Sequence, residues 1–369
     1  LRPMLLQRFP GLTAEQLRTA HAFAYGGAVI QDLGYYPFGS REFSDLAHYV
    51  RSGDFVAEMI RQSIDVNEYA FALGALAHYC SDMDGHPAVN RATAIEYPEL
   101  RRKFGPVITY AEKPGAHLQT EFGFDVAQVA RRRYTSTQYH DFIGFEVANS
   151  LLDRSFSAVY GIPLRDVLHH EDLAIGTYRW AVGKAIPRMT EVALATRRDQ
   201  MIREEPNFSR QKFLYHLSRA QYQRDWGKEY RRAGAGARLL GVILRVLPHV
   251  GPLKGAAFRR PNPRTEDLYF QSVDATVTRY RELLKAVRSN SLQLANLNLD
   301  TGRNSKAGEY TLADAAYGRL LRQLSQGKWA LSNEMRAAIG AFYGSSDRLT
   351  QPSGFASRGA NGLCRPLCQ

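Results

Sequence analysis

The chain has 369 residues, of which 44% are hydrophobic, and a formal net charge of +12. These values are typical of a globular chain and exclude an intrinsically disordered one. No stretch approaches the roughly 18–20 consecutive apolar residues that a membrane-spanning helix needs. The positive charge is typical of solvated helix faces, and it equally suits an anionic partner such as nucleic acid, a phospholipid surface or a phosphate ester.

Helices dominate the prediction, because apolar residues recur at three- and four-residue spacing and the period-two alternation of strands is scarce. The predicted helices run over residues 14–30, 54–86, 117–132, 138–160, 164–200, 207–232, 269–289 and 310–325. Glycine and proline mark the breaks, and the run Gly85-His86-Pro87 predicts the end of the helix that begins at residue 54. We therefore expect an all-α fold.

Asp32 and His48 are the first candidate site residues along the chain. Asp32 follows a short apolar run, and His48 lies in the run Phe-Ser-Asp-Leu-Ala-His-Tyr. Each residue alone would most simply be a structural polar group. Three aromatic residues close to Asp32, namely Tyr35, Tyr36 and Phe38, are candidates for lining a ligand pocket, although aromatics after a helix are more often part of a core.

A ladder of His78, Asp82 and His86 is the most informative motif in the sequence. Residues four apart lie on one face of an α-helix, so the three side chains are expected to point the same way. The segment that leads into them is apolar on most sides, which predicts burial. Because buried charged groups are costly unless they are paired or bound to a cation, the ladder predicts a metal site. An exposed polar helix face is the simpler alternative.

A second ladder follows at His117 and Glu121, again four residues apart. Alone it would most simply be an exposed helical pair. Beside the first ladder it supplies a further imidazole and carboxylate, the ligands that zinc binds in sites that keep a position open for water.

These motifs, in this order, resemble the zinc-dependent phospholipase C family. The resemblance is carried by Tyr-Gly-Gly-Ala-Val-Ile-Gln-Asp ending at Asp32, by His48, by the H-x3-D-x3-H ladder, and by Glu-Phe-Gly-Phe-Asp-Val beginning at Glu121. It covers roughly residues 20–200. Three residues separate Asp82 from His86. This spacing is most similar to that of the amino-terminal catalytic domain of glycosylphosphatidylinositol-specific phospholipase D, whereas other members of the family have five residues at this point.

The resemblance implies a multi-helix phospholipase C/zinc nuclease-like catalytic core with two or three zinc ions. The metal ligands that it implies are Asp32, His48, His78, Asp82, His86, His117 and Glu121. One zinc would be held by His48, His78 and Asp82. Another would be held by His86, His117 and Glu121. Asp82 would bridge the two ions, and Asp32 would be a ligand or the catalytic general base. The family fills a third site with an amino-terminal Trp and a nearby His, and neither is in place at Leu1.

The implied reaction is phosphodiester hydrolysis of a phospholipid by attack of a metal-bound hydroxide, with Asp32 transferring the proton. One alternative is a single-strand nuclease or other phosphodiesterase of the same superfamily, in which a basic surface follows the strand and aromatics stack on bases. Another is a helical domain in which zinc only stabilises the fold. The resemblance favours a phospholipid or phosphodiester as the binding partner over nucleic acid, and no obligate protein partner is inferred.

The expected organisation is a zinc-dependent phosphoesterase domain over residues 1–203, a helical extension over 204–343, and an irregular tail over 344–369. Residues 231–261 run basic, apolar and basic again, which suits either a core helix or a segment that contacts a membrane surface. Relatives in the family are mostly exported, so an extracytoplasmic location is expected from the resemblance. The small, odd number of cysteines, three with two of them in the tail, argues against a disulfide framework.

Overall fold

A computed structural model describes residues 1–130, 145–180, 261–327 and 331–344, with the side chains of residues 125–130 left undescribed. Within these ranges the chain folds into helices, and the only β-interaction is an isolated bridge between Asn298 and Arg303. The all-α class predicted from the sequence is therefore confirmed. Every helix in the described ranges is too short or too polar to cross a lipid bilayer.

The helices, in chain order, are α1 (Arg2–Arg8), α2 (Ala14–Gly27), a 3₁₀ helix (Ile30–Tyr35), α3 (Arg41–Tyr49), α4 (Ser52–Gln62), α5 (Val66–Glu96), α6 (Pro98–Phe104), α7 (Pro114–Ala130), α8 (Asn149–Tyr160), α9 (Leu164–Val167), α10 (Glu171–Trp180), α11 (Pro263–Arg288), α12 (Thr311–Gly327) and α13 (Asn333–Tyr343). The helix predicted over 207–232, and most of the one over 164–200, lie outside the described residues.

The long helix α5 is the centre of the fold, and α2, α4, α7 and α11 pack against it. Asp65 begins it by accepting hydrogen bonds from the backbone N–H groups of Asn67 and Glu68 at 2.8 and 2.9 Å. This cap divides the stretch predicted as one helix over 54–86 into α4 and α5. Gly74 lets α2 approach α5 closely, because a Cβ there would lie only 2.0 Å from the carbonyl oxygen of Ala24.

The predicted helix end at Gly85-His86-Pro87 is wrong, because α5 continues through Pro87 to Glu96. Proline has no N–H, so the carbonyl of Met83 loses its normal helical donor. The chain at Gly302 packs against this carbonyl, and the side-chain amide of Asn90 donates to the carbonyl of Asp300 at 2.7 Å. Tertiary packing from a distant loop thus covers the turn that proline weakens, which a local sequence pattern could not reveal.

Residues 261–344 pack directly on the amino-terminal helices. The guanidinium of Arg279 on α11 forms two hydrogen bonds of 2.9 Å with Asp84 on α5, and the hydroxyl of Tyr280 donates to the carbonyl of Leu73 at 2.9 Å. Apolar residues of α12 and α13 belong to the same core as α3, α5 and α8. The boundary predicted at 203/204, the tail after 344 and nearly all of segment 231–261 lie outside the described residues, so the domain division stays a prediction.

We expect Gly302→Ala to destabilise the protein by about 1–3 kcal/mol more than Gly308→Ala. Both glycines have a positive φ, of 66° and 89°, so both substitutions introduce backbone strain. Only at Gly302 does the new Cβ also meet Met83 O at 2.9 Å and Pro87 Cγ at 3.2 Å, whereas the space at Gly308 is open. Urea unfolding of both variants measures the difference, and equal losses would show that the loop does not press on α5.

Candidate metal centre

The structure brings all seven site residues predicted from the sequence into one cavity between the 3₁₀ helix, α3, α5 and α7. Six of the seven form two groups, and within each group one ligand atom from every residue lies within 4.8 Å of the others. The first group is Asp32, His48 and His78, and the second is His86, His117 and Glu121. Both ladders therefore face inward from their helices, as the four-residue spacing predicts.

Asp82 lies between the two groups. Its Oδ2 atom is 3.2 Å from Nε2 of His48 and 3.0 Å from Nε2 of His78, while its Oδ1 atom is 3.7 Å from Nε2 of His86. The carboxylate therefore has one oxygen beside the histidines of the first group and the other oxygen towards His86 of the second.

Each group also has its own carboxylate. Oδ1 of Asp32 lies 3.4 Å from Nε2 of His48 in the first group. In the second, Oε1 of Glu121 lies 3.0 Å from Nε2 of His117 and 3.7 Å from Nε2 of His86. Each prospective cation would therefore find both imidazole nitrogen and carboxylate oxygen.

Backbone carbonyls fix the orientation of two imidazoles. Nδ1 of His48 lies 2.7 Å from the carbonyl oxygen of Ser44, and Nδ1 of His78 lies 3.0 Å from that of Ala28. A carbonyl can only accept, so in both rings Nδ1 carries a hydrogen and Nε2 is the atom that faces the centre. The close approach of α2 to α5 is what brings Ala28 within reach of His78.

The 3₁₀ helix that carries Asp32 is held by buried hydrogen bonds. The side-chain amide of Gln31 donates to the carbonyl of Ala75 on α5 at 3.0 Å. The hydroxyl of Ser44 on α3 donates to the carbonyl of Gln31 at 2.5 Å and accepts from the backbone N–H of Gly34 at 2.9 Å. These bonds tie the 3₁₀ helix to α3 and α5, so Asp32 is held in place beside the histidines of those two helices.

Asp300, which the sequence analysis missed, orients the third imidazole. Its Oδ1 atom accepts from Nδ1 of His86 at 2.7 Å, and its Oδ2 atom accepts from the hydroxyls of Tyr49, at 2.9 Å, and Tyr310. When one ring nitrogen of a histidine binds a metal, the other usually donates a hydrogen bond, and a carboxylate is a common acceptor. Asp300 lies in an irregular loop 214 residues beyond His86, and its surroundings in the sequence carry no motif.

The pKa values in the cluster show that its buried carboxylates are kept ionised by neighbouring positive charge. Burial alone would raise the pKa of Asp82, but the surrounding imidazoles hold it well below its usual value. Burial alone would raise the pKa of Asp300 too, yet the hydrogen bond from His86 and its charge bring it to about 2. Conversely, burial opposes protonation of His86, but Asp82 and Asp300 raise its pKa to about 10. A bound cation would supply the same charge.

One detail of the geometry fits a shared cation better than a direct contact. Nε2 of His78 and Oδ2 of Asp82 are both buried and only 3.0 Å apart, yet neither atom makes a hydrogen bond of acceptable geometry. Both atoms instead face common space, as two ligands do around one ion. Imidazole nitrogen and carboxylate oxygen are ligands of zinc, which lies about 2.0–2.2 Å from each. The residues present therefore fit zinc.

Comparison with known proteins gives one match. Residues 3–169 match the family model of zinc-dependent phospholipase C. This match supports the family that the sequence resembles, and its range includes all seven converging residues. It ends before α11 and before Asp300. No curated protein and no solved structure matches the chain.

We expect Asp300→Asn to weaken zinc binding by roughly ten- to a hundredfold, because the amide keeps the shape but removes the charge that orients His86. Titration of the full chain with zinc by calorimetry measures the affinity, and far-ultraviolet circular dichroism checks the helices. Asp153→Asn on α8, where the side chain is exposed, is the matched control and should bind zinc normally. Wild-type affinity in Asp300→Asn would mean that the Asp300–His86 contact is only structural.

Proposed function

We propose that the chain is a zinc-dependent phosphodiesterase of the phospholipase C type, which cleaves phospholipids between the glycerol oxygen and phosphorus. The observation that carries this proposal is the position of Asp82, with one oxygen near His48 and His78 and the other near His86. The family match of residues 3–169 supports it independently. Two cations bridged in this way are suited to phosphate-ester chemistry.

The proposed zinc ligands are the seven converging residues, with Asp82 shared between two ions. Zinc, when bound, supplies an acidified water and positive charge for the oxygens of the phosphodiester. Asp32 is assigned the proton transfer, because its side chain is 34% exposed to the cavity whereas that of Asp82 is only 7% exposed. Its distances to His48 and His78, 3.4 and 3.9 Å, are also longer than those of Asp82 to the same two rings, 3.2 and 3.0 Å.

In the proposed reaction, water adds to phosphorus and its proton passes to the carboxylate of Asp32. The bond between phosphorus and the glycerol oxygen breaks, and Asp32 returns the proton to that oxygen. The products are a diacylglycerol and a phosphate monoester. Arg41 lines the same cavity and attracts the anionic ester. Tyr35 and Tyr36 line it as well, whereas the third aromatic suggested by the sequence, Phe38, is not part of the lining.

A nuclease of the same superfamily is the second candidate. It is favoured by the net charge of +12 and by the rings of Tyr35 and Tyr110, which lie 6.3 Å apart in the wall of the cavity and offer faces for bases. A purely structural role for zinc fits less well, because Asp32 and Glu121 are about one-third exposed to the cavity and a structural site is normally closed.

Three finer parts of the proposal rest on the sequence. The three-residue spacing between Asp82 and His86 favours a relationship to the catalytic domain of glycosylphosphatidylinositol-specific phospholipase D. An extracytoplasmic location is proposed because members of the family are mostly exported. Contact with a membrane surface through residues 231–261 follows from their charge pattern, and that segment, except Pro261, lies outside the described residues.

We expect the zinc-loaded chain to hydrolyse para-nitrophenyl phosphocholine, with activity lost on chelation and restored by zinc. Asp82→Asn should lower kcat/KM by roughly a hundredfold or more, because it removes charge from both halves of the centre. Asp153→Asn is the matched control, since Asp153 is an exposed carboxylate on α8 that does not line the cavity. Full turnover by Asp82→Asn would contradict the bridging role, and absence of turnover by the zinc-loaded wild type would contradict phospholipase C activity.

A further inference from the structure

The cavity that holds the cluster is larger than a phosphodiester requires. It measures about 940 Å³, and the predicted metal ligands supply only part of its lining. Residues of α5, α7 and α11 supply another part. The larger apolar side chains of these three helices that line the cavity, which we call the apolar wall, are Val89, Leu118, Phe124, Tyr269, Val273 and Val277.

One face of α11 supplies half of the apolar wall. Tyr269, Val273 and Val277 are spaced by four residues, so they lie along the same side of the helix. The residues of α11 that line the cavity also include Ser272 and Thr276, and none of the five carries a charge. This face of α11 thus contrasts with the carboxylates and imidazoles that line the same cavity.

Specific contacts hold α11 against α5 and α7. The ring of Tyr269 stacks on that of Phe124 with centroids 5.0 Å apart. At the start of the helix, Oε1 of Glu96 accepts from the amide of Asn262 at 2.9 Å and from the hydroxyl of Thr265 at 2.7 Å. Farther along, the two hydrogen bonds between Arg279 and Asp84 fix it to α5.

The apolar wall leaves hydrophobic surface open beside a strongly polar centre. Leu118, Val273 and Val277 are 50%, 39% and 40% exposed, although each lines the cavity. Burying such surface against a ligand is favourable. A cavity lined both by charged groups and by an apolar wall matches a molecule with the same division, in which a phosphodiester is joined to hydrocarbon.

We propose that the apolar wall binds the acyl chains of a glyceride while the phosphodiester of the same molecule lies at the metal centre. This inference rests on the proposed function and assigns α11, which lies outside the family match, a role in substrate binding. Aliphatic side chains favour acyl chains over nucleobases here. The one tyrosine that α11 contributes is already stacked on Phe124 and offers bases little additional face.

The test is binding of 1,2-dihexanoylglycerol to the full zinc-loaded chain, measured by isothermal titration calorimetry. The double variant Val273→Asp/Val277→Asp should bind at least tenfold more weakly than the wild type. Leu118→Asp tests the same subsite from α7, so failure of one variant to fold leaves the other to decide. Ile64→Asp is the matched control, because Ile64 is an exposed apolar residue that does not line the cavity, and it should bind normally.

Equal affinity in the wild type and the folded wall variants would overturn the proposal, and so would a wild type that does not bind the glyceride. Loss of binding to a dithymidine phosphodiester, with glyceride binding unchanged, would assign the wall to a nuclease substrate instead. Hydrolysis of para-nitrophenyl phosphocholine by the same wild-type preparation judges the proposed function separately, because that ester has no acyl chain and the binding test needs no turnover.

Discussion

The buried carboxylate of Asp82 is the constraint on which the architecture around the site depends. An isolated ionised carboxylate in a protein interior costs several kcal/mol, so it must meet hydrogen-bond donors, opposite charge or a cation. Here three imidazoles surround it, and each is supported from outside: His48 and His78 by backbone carbonyls, His86 by Asp300. The neighbouring helices are packed so that these supports are in reach.

Two close contacts set that packing. Gly74 allows α2 to touch α5, which brings the carbonyl of Ala28 to His78. Gly302 allows a carboxy-terminal loop to rest on the turn at Pro87, which brings Asp300 to His86. The first contact lies within the range matched by the zinc-dependent phospholipase C family, and the second lies beyond it. The part of the chain after residue 261 therefore helps to complete the centre as well as one wall of the cavity.

Sequence alone predicted the all-α class and the residues that converge, because four-residue spacing on a helix determines which side chains share a face. It could not predict Asp300, since a single carboxylate in an irregular loop has no periodic partner and meets His86 only through tertiary packing. The passage of α5 through Pro87 was predicted wrongly for a related reason. The local preference of proline was outweighed by contacts with a loop more than 200 residues away.

The sequence analysis also did not identify the part of the apolar wall that α11 contributes, namely Tyr269, Val273 and Val277, although the four-residue spacing of these residues was visible. An apolar stripe on a helix is normally core, and only the structure shows which part of α11 lies on α5 and which part remains open beside the centre. The sequence thus predicts which ligands share one face of a helix. It does not predict the tertiary contacts that orient those ligands and shape the cavity around them.

The number of zinc ions bound per chain decides whether two metal sites share Asp82. The full chain would be saturated with zinc, freed of excess by gel filtration, and analysed by plasma mass spectrometry against protein concentration. Because the converging residues form two groups with Asp82 between them, we expect at least two zinc ions per chain. One zinc or none at saturation would contradict a shared carboxylate between two metal sites.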